Sequence, residues 1–242
     1  MQSETNMMES TTDPRPHAIV IGSGFGGLAA AVRLGARGWR VTILEKLDAP
    51  GGRAYVFRQD GFTFDAGPTI ITAPYLLDEL WALAGRDLAQ DIDLRAMDPF
   101  YLIRFDDGEV MRCSADLDVT RAEVARIAPQ DSAGFERFIL ESERIFRVAF
   151  AELADKPFHR LSSLLGAAPD LIRLQGYRTV YSRVCDYFTS EKLRVAFSFH
   201  PLLIGGNPMT TTAYYCLIAH LERAYGVHYA EGGMGALVRG LV

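Results

Sequence analysis

The chain has 242 residues, 49% of them apolar, and a net charge of −5; that is enough to bury one large or two modest cores. The acidic balance and the lack of any basic stripe exclude a nucleic-acid partner. Three scattered cysteines (Cys113, Cys185 and Cys216) and five histidines without ligand spacing give neither a disulfide framework nor a metal centre, and fit a reducing compartment.

Residues 1–16 are polar and Ser/Thr-rich, with no basic and apolar succession of a signal peptide; they are expected to be a disordered tail. The apolar run 18–21 then reads as a strand buried on both faces. It enters the turn Gly22-Ser23-Gly24-Phe25-Gly26-Gly27, after which an Ala/Leu-rich segment predicts a helix ending at Gly38. In this G-x-G-x-x-G, Gly22 permits the tight turn, Gly24 lets a pyrophosphate approach the backbone, and Gly27 lets helix and sheet pack closely. The helix N-terminus offers its N–H groups and positive dipole end to phosphates. A second strand over 39–44 ends on Glu45, at the distance expected for the carboxylate that binds a ribose hydroxyl. Strand, glycine turn, helix, strand and carboxylate together specify a dinucleotide site; a glycine turn alone would not.

A second glycine pair, Gly51-Gly52, precedes Arg53. Paired with the first motif, it is read as bringing further backbone N–H groups and a positive charge to the same pyrophosphate. Asp60-Gly61 predicts a hairpin between strands 55–57 and 62–64, followed by the turn Asp65-Ala66-Gly67-Pro68-Thr69. A helix is expected over 75–84 and a second hairpin over 100–112 around Asp106-Asp107-Gly108.

Beyond Cys113 the pattern becomes mostly helical. Phe135, Phe138, Ile139, Ile145, Phe146, Phe150 and Leu153 share one helical face. Core packing is the first reading of that stripe, and lining for a large apolar ligand the second. Further helices are expected over 169–174, 179–188, 191–199 and 210–221. The stretch 195–221 lacks Lys, Arg, Asp and Glu, yet Pro201, Gly205, Gly206, Asn207 and Pro208 interrupt it, which excludes a continuous membrane-spanning helix and leaves a lipid-handling surface. A strand over 227–230, a glycine turn over 231–235 and helical turns from 236 follow. The pattern stops without a cap or closing strand, so the chain is expected to be the N-terminal portion of a longer protein.

The stretches I-G-S-G-F-G-G-L-A-A at 21–30, P-G-G-R-A-Y at 50–55 and G-F-T-F-D-A-G-P-T at 61–69 resemble the bacterial-type phytoene desaturases, FAD-dependent carotenoid desaturases. So do P-F-Y at 99–101, S-F-H-P-L-L-I-G-G-N-P at 198–208 and G-G-M-G-A-L-V at 232–238. The 198–208 stretch is the most particular of these, and the likeness runs from residue 18 to the end. The resemblance implies an α/β fold: a Rossmann-like FAD-binding domain (17–113 and 226–242, incomplete) with an inserted, mostly helical domain (114–225) facing substrate and membrane. The family's C-terminal glycine-rich segment is absent from the sequence.

The implied cofactor is FAD, with no metal. Gly22, Ser23, Gly24, Phe25 and Gly27 would meet the pyrophosphate, Glu45 and Lys46 the adenosine end, and Gly52 and Arg53 the diphosphate and ribityl region. Gly67, Pro68 and Thr69 would lie near the flavin ring. The implied reaction is desaturation of phytoene or a related carotenoid by a cytoplasmic enzyme peripherally attached to a membrane, with oxygen or a quinone as electron acceptor. Asp65 and His200 are weak candidates for the proton acceptor, each with a structural role as its alternative. Rival expectations are another flavoenzyme of the amine-oxidase or carotenoid-isomerase type, and a non-enzymatic isoprenoid binder like the GDP-dissociation inhibitors.

Overall fold

The computed structural model describes residues 13–152 and 161–242, without the side chains of 161–165. Most of the expected tail and Leu153 of the aromatic stripe lie outside the described residues. Strands β1 (His17–Ile21), β2 (Arg40–Leu44), β3 (Val56–Gln59) and β4 (Phe62–Asp65), with helix α1 (Phe25–Ala36), form the first part. Helices α2 (Tyr75–Leu83) and α3 (Leu88–Asp91) lead to strands β5 (Leu94–Ala96), β6 (Tyr101–Arg104) and β7 (Val110–Cys113). Next come α4 (Leu117–Ile127), α5 (Ser132–Ile145), α6 (Leu161–Arg173), α7 (Val180–Val184), α8 (Glu191–Ser198) and α9 (Ile218–Tyr225). Strand β8 (His228–Ala230) and helix α10 (Met234–Leu241) close the order.

Two compact units result. The first holds the chain up to Gly67, Leu76–Ile92 and Gly232–Val242; the second holds Pro68–Tyr75 and Asp93–Glu231. The division falls before the change of composition at Cys113. Hairpin β6–β7 belongs with the helices because Met111, Ile103 and Phe105 pack into their aromatic core.

In the first unit β1 and β2 pair in parallel, His17 opposite Arg40 through Ile21 opposite Leu44. α1 follows with no β-branched residue except Val32, and ends at Arg37, after which Gly38 adopts a left-handed φ of +81°. The expectation that β1 is buried on both faces is corrected: its burial alternates, and Ile21 is 87% exposed. Ala18, Val20, Val41 and Ile43 are the better buried set, whereas Ile19, Ile21 and Leu44 point the other way. Hairpin β3–β4 turns through Asp60 and Gly61, both at positive φ as the tight primed turn demands.

The core of the second unit is aromatic. Phe138 is edge-on to Tyr187, Phe188 and Phe197 at centroid distances of 5.5–5.6 Å, and Phe188 stacks on Phe197 at 4.8 Å. Phe135, Phe138 and Ile145 are fully buried in that cluster, so this part of the stripe is core rather than ligand lining. Phe146 and Phe150 continue it on a π-helical segment, Phe146–Glu152, where their rings stack. Polar clamps join the helices. Asp131 accepts from the backbone N–H of Thr189 and Ser190 ahead of α8, and the Ser142 hydroxyl links the Cys216 carbonyl to the His220 N–H. Glu141 on α5 pairs with Arg183 on α7 at 2.6 Å.

Candidate dinucleotide site

The site of the first unit grows from the end of β1. The Gly22 N–H continues the ladder by donating to the Leu44 carbonyl at 2.7 Å, then φ of +94° swings the chain out of the sheet. Gly24 precedes α1 in extended conformation, and the first helical bond runs from the Leu28 N–H to the Gly24 carbonyl. The N–H groups of Phe25, Gly26 and Gly27 therefore have no acceptor within the helix. Gly27 is obligatory: a Cβ there would stand 2.0 Å from the Gly22 carbonyl oxygen. Nothing lies within 4 Å of a Cβ built on Gly22 or Gly26, so the turn is open on those sides.

Glu45 reaches back from the end of β2. Its Oε2 accepts from the Ser23 N–H at 2.8 Å and the Ser23 hydroxyl at 2.6 Å, and its Oε1 from the N–H groups of Lys46 and Leu47 at 2.8 and 3.0 Å. These bonds, the Ser23 hydroxyl first among them, hold its carboxyl down at about 2. The second glycine pair is stitched to the first turn: the Gly51 N–H donates to the Ser23 carbonyl at 3.0 Å, and Gly24 and Gly51 form a parallel bridge. Gly52, at φ +58°, could not carry a Cβ without approaching the Gly24 Cα to 2.9 Å. Arg53 is exposed beside this contact. Its carbonyl lies 2.3 Å from where a Gly67 Cβ would stand, so Gly67 seats the third motif on the second by close backbone approach.

The first unit thus gathers Gly22, Ser23, Gly24, Phe25, Gly27, Glu45, Lys46, Gly52, Arg53 and Gly67 around one turn. Pro68 and Thr69 open the second unit and are exposed. Asp65 has a definite partner, accepting from the Met234 N–H at 3.2 Å ahead of α10, where Gly233 leaves no room for a side chain against that carboxylate. His200 lies in the second unit, 2% exposed. Its Nε2 is 3.2 Å from Glu222 Oε2, to which the Tyr101 hydroxyl donates at 2.6 Å. Burial and the Glu222 charge push the Tyr101 phenol far up, and the His200 partner holds the Glu222 carboxyl down against its own burial. His200 Nδ1 and Glu222 Oε1 are buried without a hydrogen-bond partner among the described residues. Glu222 is not singled out in the sequence: it lies 121 residues from Tyr101 of the P-F-Y stretch and shares no motif with it.

An open glycine turn with free helix N–H groups fits a pyrophosphate, and a carboxylate at the end of β2 fits a ribose diol, which would exchange with the Ser23 hydroxyl. The donor set is that of a dinucleotide cradle. Among the described residues no three His, Cys, Asp or Glu side chains gather as a metal would require, and no helix is long and apolar enough to cross a membrane.

The chain is 46% identical over 220 residues to the neurosporene-forming phytoene desaturase of Cereibacter sphaeroides, covering 91% of this chain and 42% of that protein. It is 47% identical over 223 residues to the lycopene-forming phytoene desaturase of Pantoea ananas, covering 92% and 45%. The chain therefore spans less than half the length of these curated relatives. Among solved structures, putrescine oxidase bound to putrescine aligns over 94% of this chain and 48% of its own, with a TM-score of 0.59 at 19% identity, which establishes a shared fold. The model of the flavin containing amine oxidoreductase family matches residues 25–242. Its cofactor is a flavin, and the cradle around Gly24 and Glu45 fits the dinucleotide form, FAD. The chain belongs to the flavin containing amine oxidoreductase family.

Proposed function

We propose that the chain is the FAD-cradling part of an enzyme that desaturates phytoene or a related carotenoid intermediate. The observation that supports the reading is the match, at 46 and 47% identity over 91 and 92% of this chain, to two phytoene desaturases, together with a cradle whose glycines tolerate no side chain at Gly27 and Gly52. Bound FAD would supply the acceptor for a hydride leaving a C–H bond of a saturated carbon beside the polyene, the neighbouring carbon losing a proton as the new C=C bond forms. The residues of this chain bind and orient it. The N–H groups from Phe25 to Gly27 meet the pyrophosphate, and Glu45 holds the adenosine ribose with Lys46 at its side. Gly52 and Arg53 take the diphosphate and ribityl region, and Gly67, Pro68 and Thr69 the edge of the flavin ring.

A C40 hydrocarbon offers no polar handle, so its binding rests on apolar burial and on transfer from a membrane. We assign the helical second unit to that task, in a cytoplasmic enzyme attached peripherally to the bilayer, with oxygen or a quinone taking the electrons. Asp65 fixes the turn ahead of α10, and His200 is bound up with Glu222 and Tyr101. We therefore assign both to positioning rather than to taking up the proton lost from the neighbouring carbon. The test is the full-length enzyme with phytoene in liposomes and chromatography of the products. More conjugated carotenoids that appear only with FAD support the reading. Isomers without new double bonds, or no turnover by flavin-loaded enzyme, overturn it.

A further inference from the structure

Two Asp-Gly pairs turn two hairpins, and the fold treats them differently. Asp60-Gly61 joins β3 to β4, and Asp107-Gly108 lies in the turn between β6 and β7. An Asp-Gly pair is open to one spontaneous reaction, because glycine puts no side chain in its way. The glycine main-chain nitrogen attacks the aspartate Cγ; a C–N bond forms, and the carboxyl hydroxyl leaves with the amide hydrogen as water. Water then opens the five-membered succinimide at either carbonyl. One opening restores aspartate, and the other leaves isoaspartate, whose main chain runs through Cβ and Cγ. Nothing is oxidised or reduced, and water is the only co-reactant.

Nothing lies within 4 Å of a Cβ built on Gly61 or on Gly108, so access does not separate the two pairs. Hydrogen bonding does. The Gly108 N–H donates to the Phe105 carbonyl at 3.0 Å. Asp107 Oδ1 accepts from the Glu109 N–H at 3.1 Å, and its Oδ2 holds the Lys192 ammonium. Attacking nitrogen and attacked carboxyl are both engaged there. Asp60 and Gly61 are exposed. Among the described residues the Asp60 carboxylate has neither a hydrogen bond nor an ion pair, and the Gly61 N–H has no acceptor. The tight turn, with φ of +52° at Asp60 and +83° at Gly61, leaves few residue types able to stand in place of this pair.

We propose that Asp60 is a modification site, where the folded protein forms a succinimide and converts to isoaspartate while Asp107 is protected. The consequence reaches the cradle. Strands β3 and β4 are in register from Gln59 opposite Phe62 to Val56 opposite Asp65. Just beyond, Asp65 accepts from the Met234 N–H, and Gly67 closes on the Arg53 carbonyl. Isoaspartate adds a main-chain carbon to the turn, so the strand that carries Asp65 and Gly67 shifts against β3 and the cradle loosens. This consequence rests on the reading of the cradle as an FAD site. The conversion itself is measured without reference to flavin, so the two fail separately.

The experiment ages the flavin-loaded protein at physiological temperature and mildly alkaline pH, with a second sample unfolded in urea. Isoaspartate is located by labelling with protein isoaspartate methyltransferase and by fragmentation mass spectrometry. In urea the two pairs are expected to convert alike. In the folded protein, conversion at 60 is expected to exceed that at 107 about tenfold or more, since the bonds that hold Asp107 and Gly108 must open first. Asp60→Gly keeps the turn, because glycine suits that position, and removes the carboxyl. It is expected to hold its flavin through ageing, while the parent loses flavin in step with isoaspartate at 60. Conversion at 107 as fast as at 60 in the folded protein, or none at 60, overturns the site. An isoaspartate-60 fraction that holds flavin as fresh protein does, or equal flavin loss by aged Asp60→Gly, overturns the link to the cradle.

Discussion

Glu45 is the residue on which the proposed ribose contact and the pH response meet. Its carboxylate is held by four donors of the chain, and its pKa lies at about 2 against the usual 4.5. Because the folded value is depressed, the stabilisation is complete above the unfolded value and is lost only as pH falls from there towards 2. FAD retention is therefore expected to hold at pH values just below the ordinary carboxylate pKa, where an unassisted glutamate would already be half protonated; equilibrium dialysis across that range checks it. Glu45→Gln removes the charge and is expected to weaken FAD binding about tenfold or more. The thiols make a second residue-scale prediction. Burial pushes Cys113 and Cys216 up to about 12, while Cys185 is only half-buried. Alkylation of the native protein in mildly alkaline buffer should mark Cys185 alone by mass spectrometry, and all three in denaturant. Native labelling of Cys216 would contradict the packing of α5 against the segment that carries it. Glu45 was legible in the sequence because the strand that ends on it is local to the glycine turn. The meeting of Tyr101 and His200 on Glu222 was not, since the stretches that hold Tyr101 and His200 lie far apart in the chain and nothing local marks Glu222 as their partner.

Among the elements, the βαβ unit and the two hairpins follow from near-neighbour rules. The positive φ of Gly38, Asp60, Gly61 and Gly108 falls where a cap or tight turn demands it. Two features escape such rules. The π-helical continuation of α5 carries no distinctive cap or breaker, and the alternating exposure of β1 depends on which face α1 covers. Two substitutions separate cradle from core. Gly27→Ala drives a methyl group to 2.0 Å from the Gly22 carbonyl, so the turn must open. FAD retention should be lost while the aromatic core of the second unit keeps its near-ultraviolet circular dichroism. Phe138→Ala empties the centre of that core and is expected to cost about 3–5 kcal/mol in denaturant unfolding of the second unit. A loss below about 1 kcal/mol would mean that the ring cluster is not a packed core.

At the scale of the molecule, the division of labour lies between a glycine-built cradle in one unit and an aromatic, mostly helical second unit. The cradle was readable from three short motifs because each brings backbone close to backbone, which only glycine allows at Gly27, Gly52 and Gly67. The extent of the second unit was less readable, because hairpin β6–β7 joins it through buried Met111 rather than through sequence character. The central claim is that the described cradle holds FAD, and the visible absorbance spectrum of the purified chain tests it most directly after incubation with FAD and gel filtration. A flavin band that co-elutes with monodisperse protein, and disappears in Gly27→Ala, is the predicted result. A monodisperse, folded chain that elutes without flavin would contradict it.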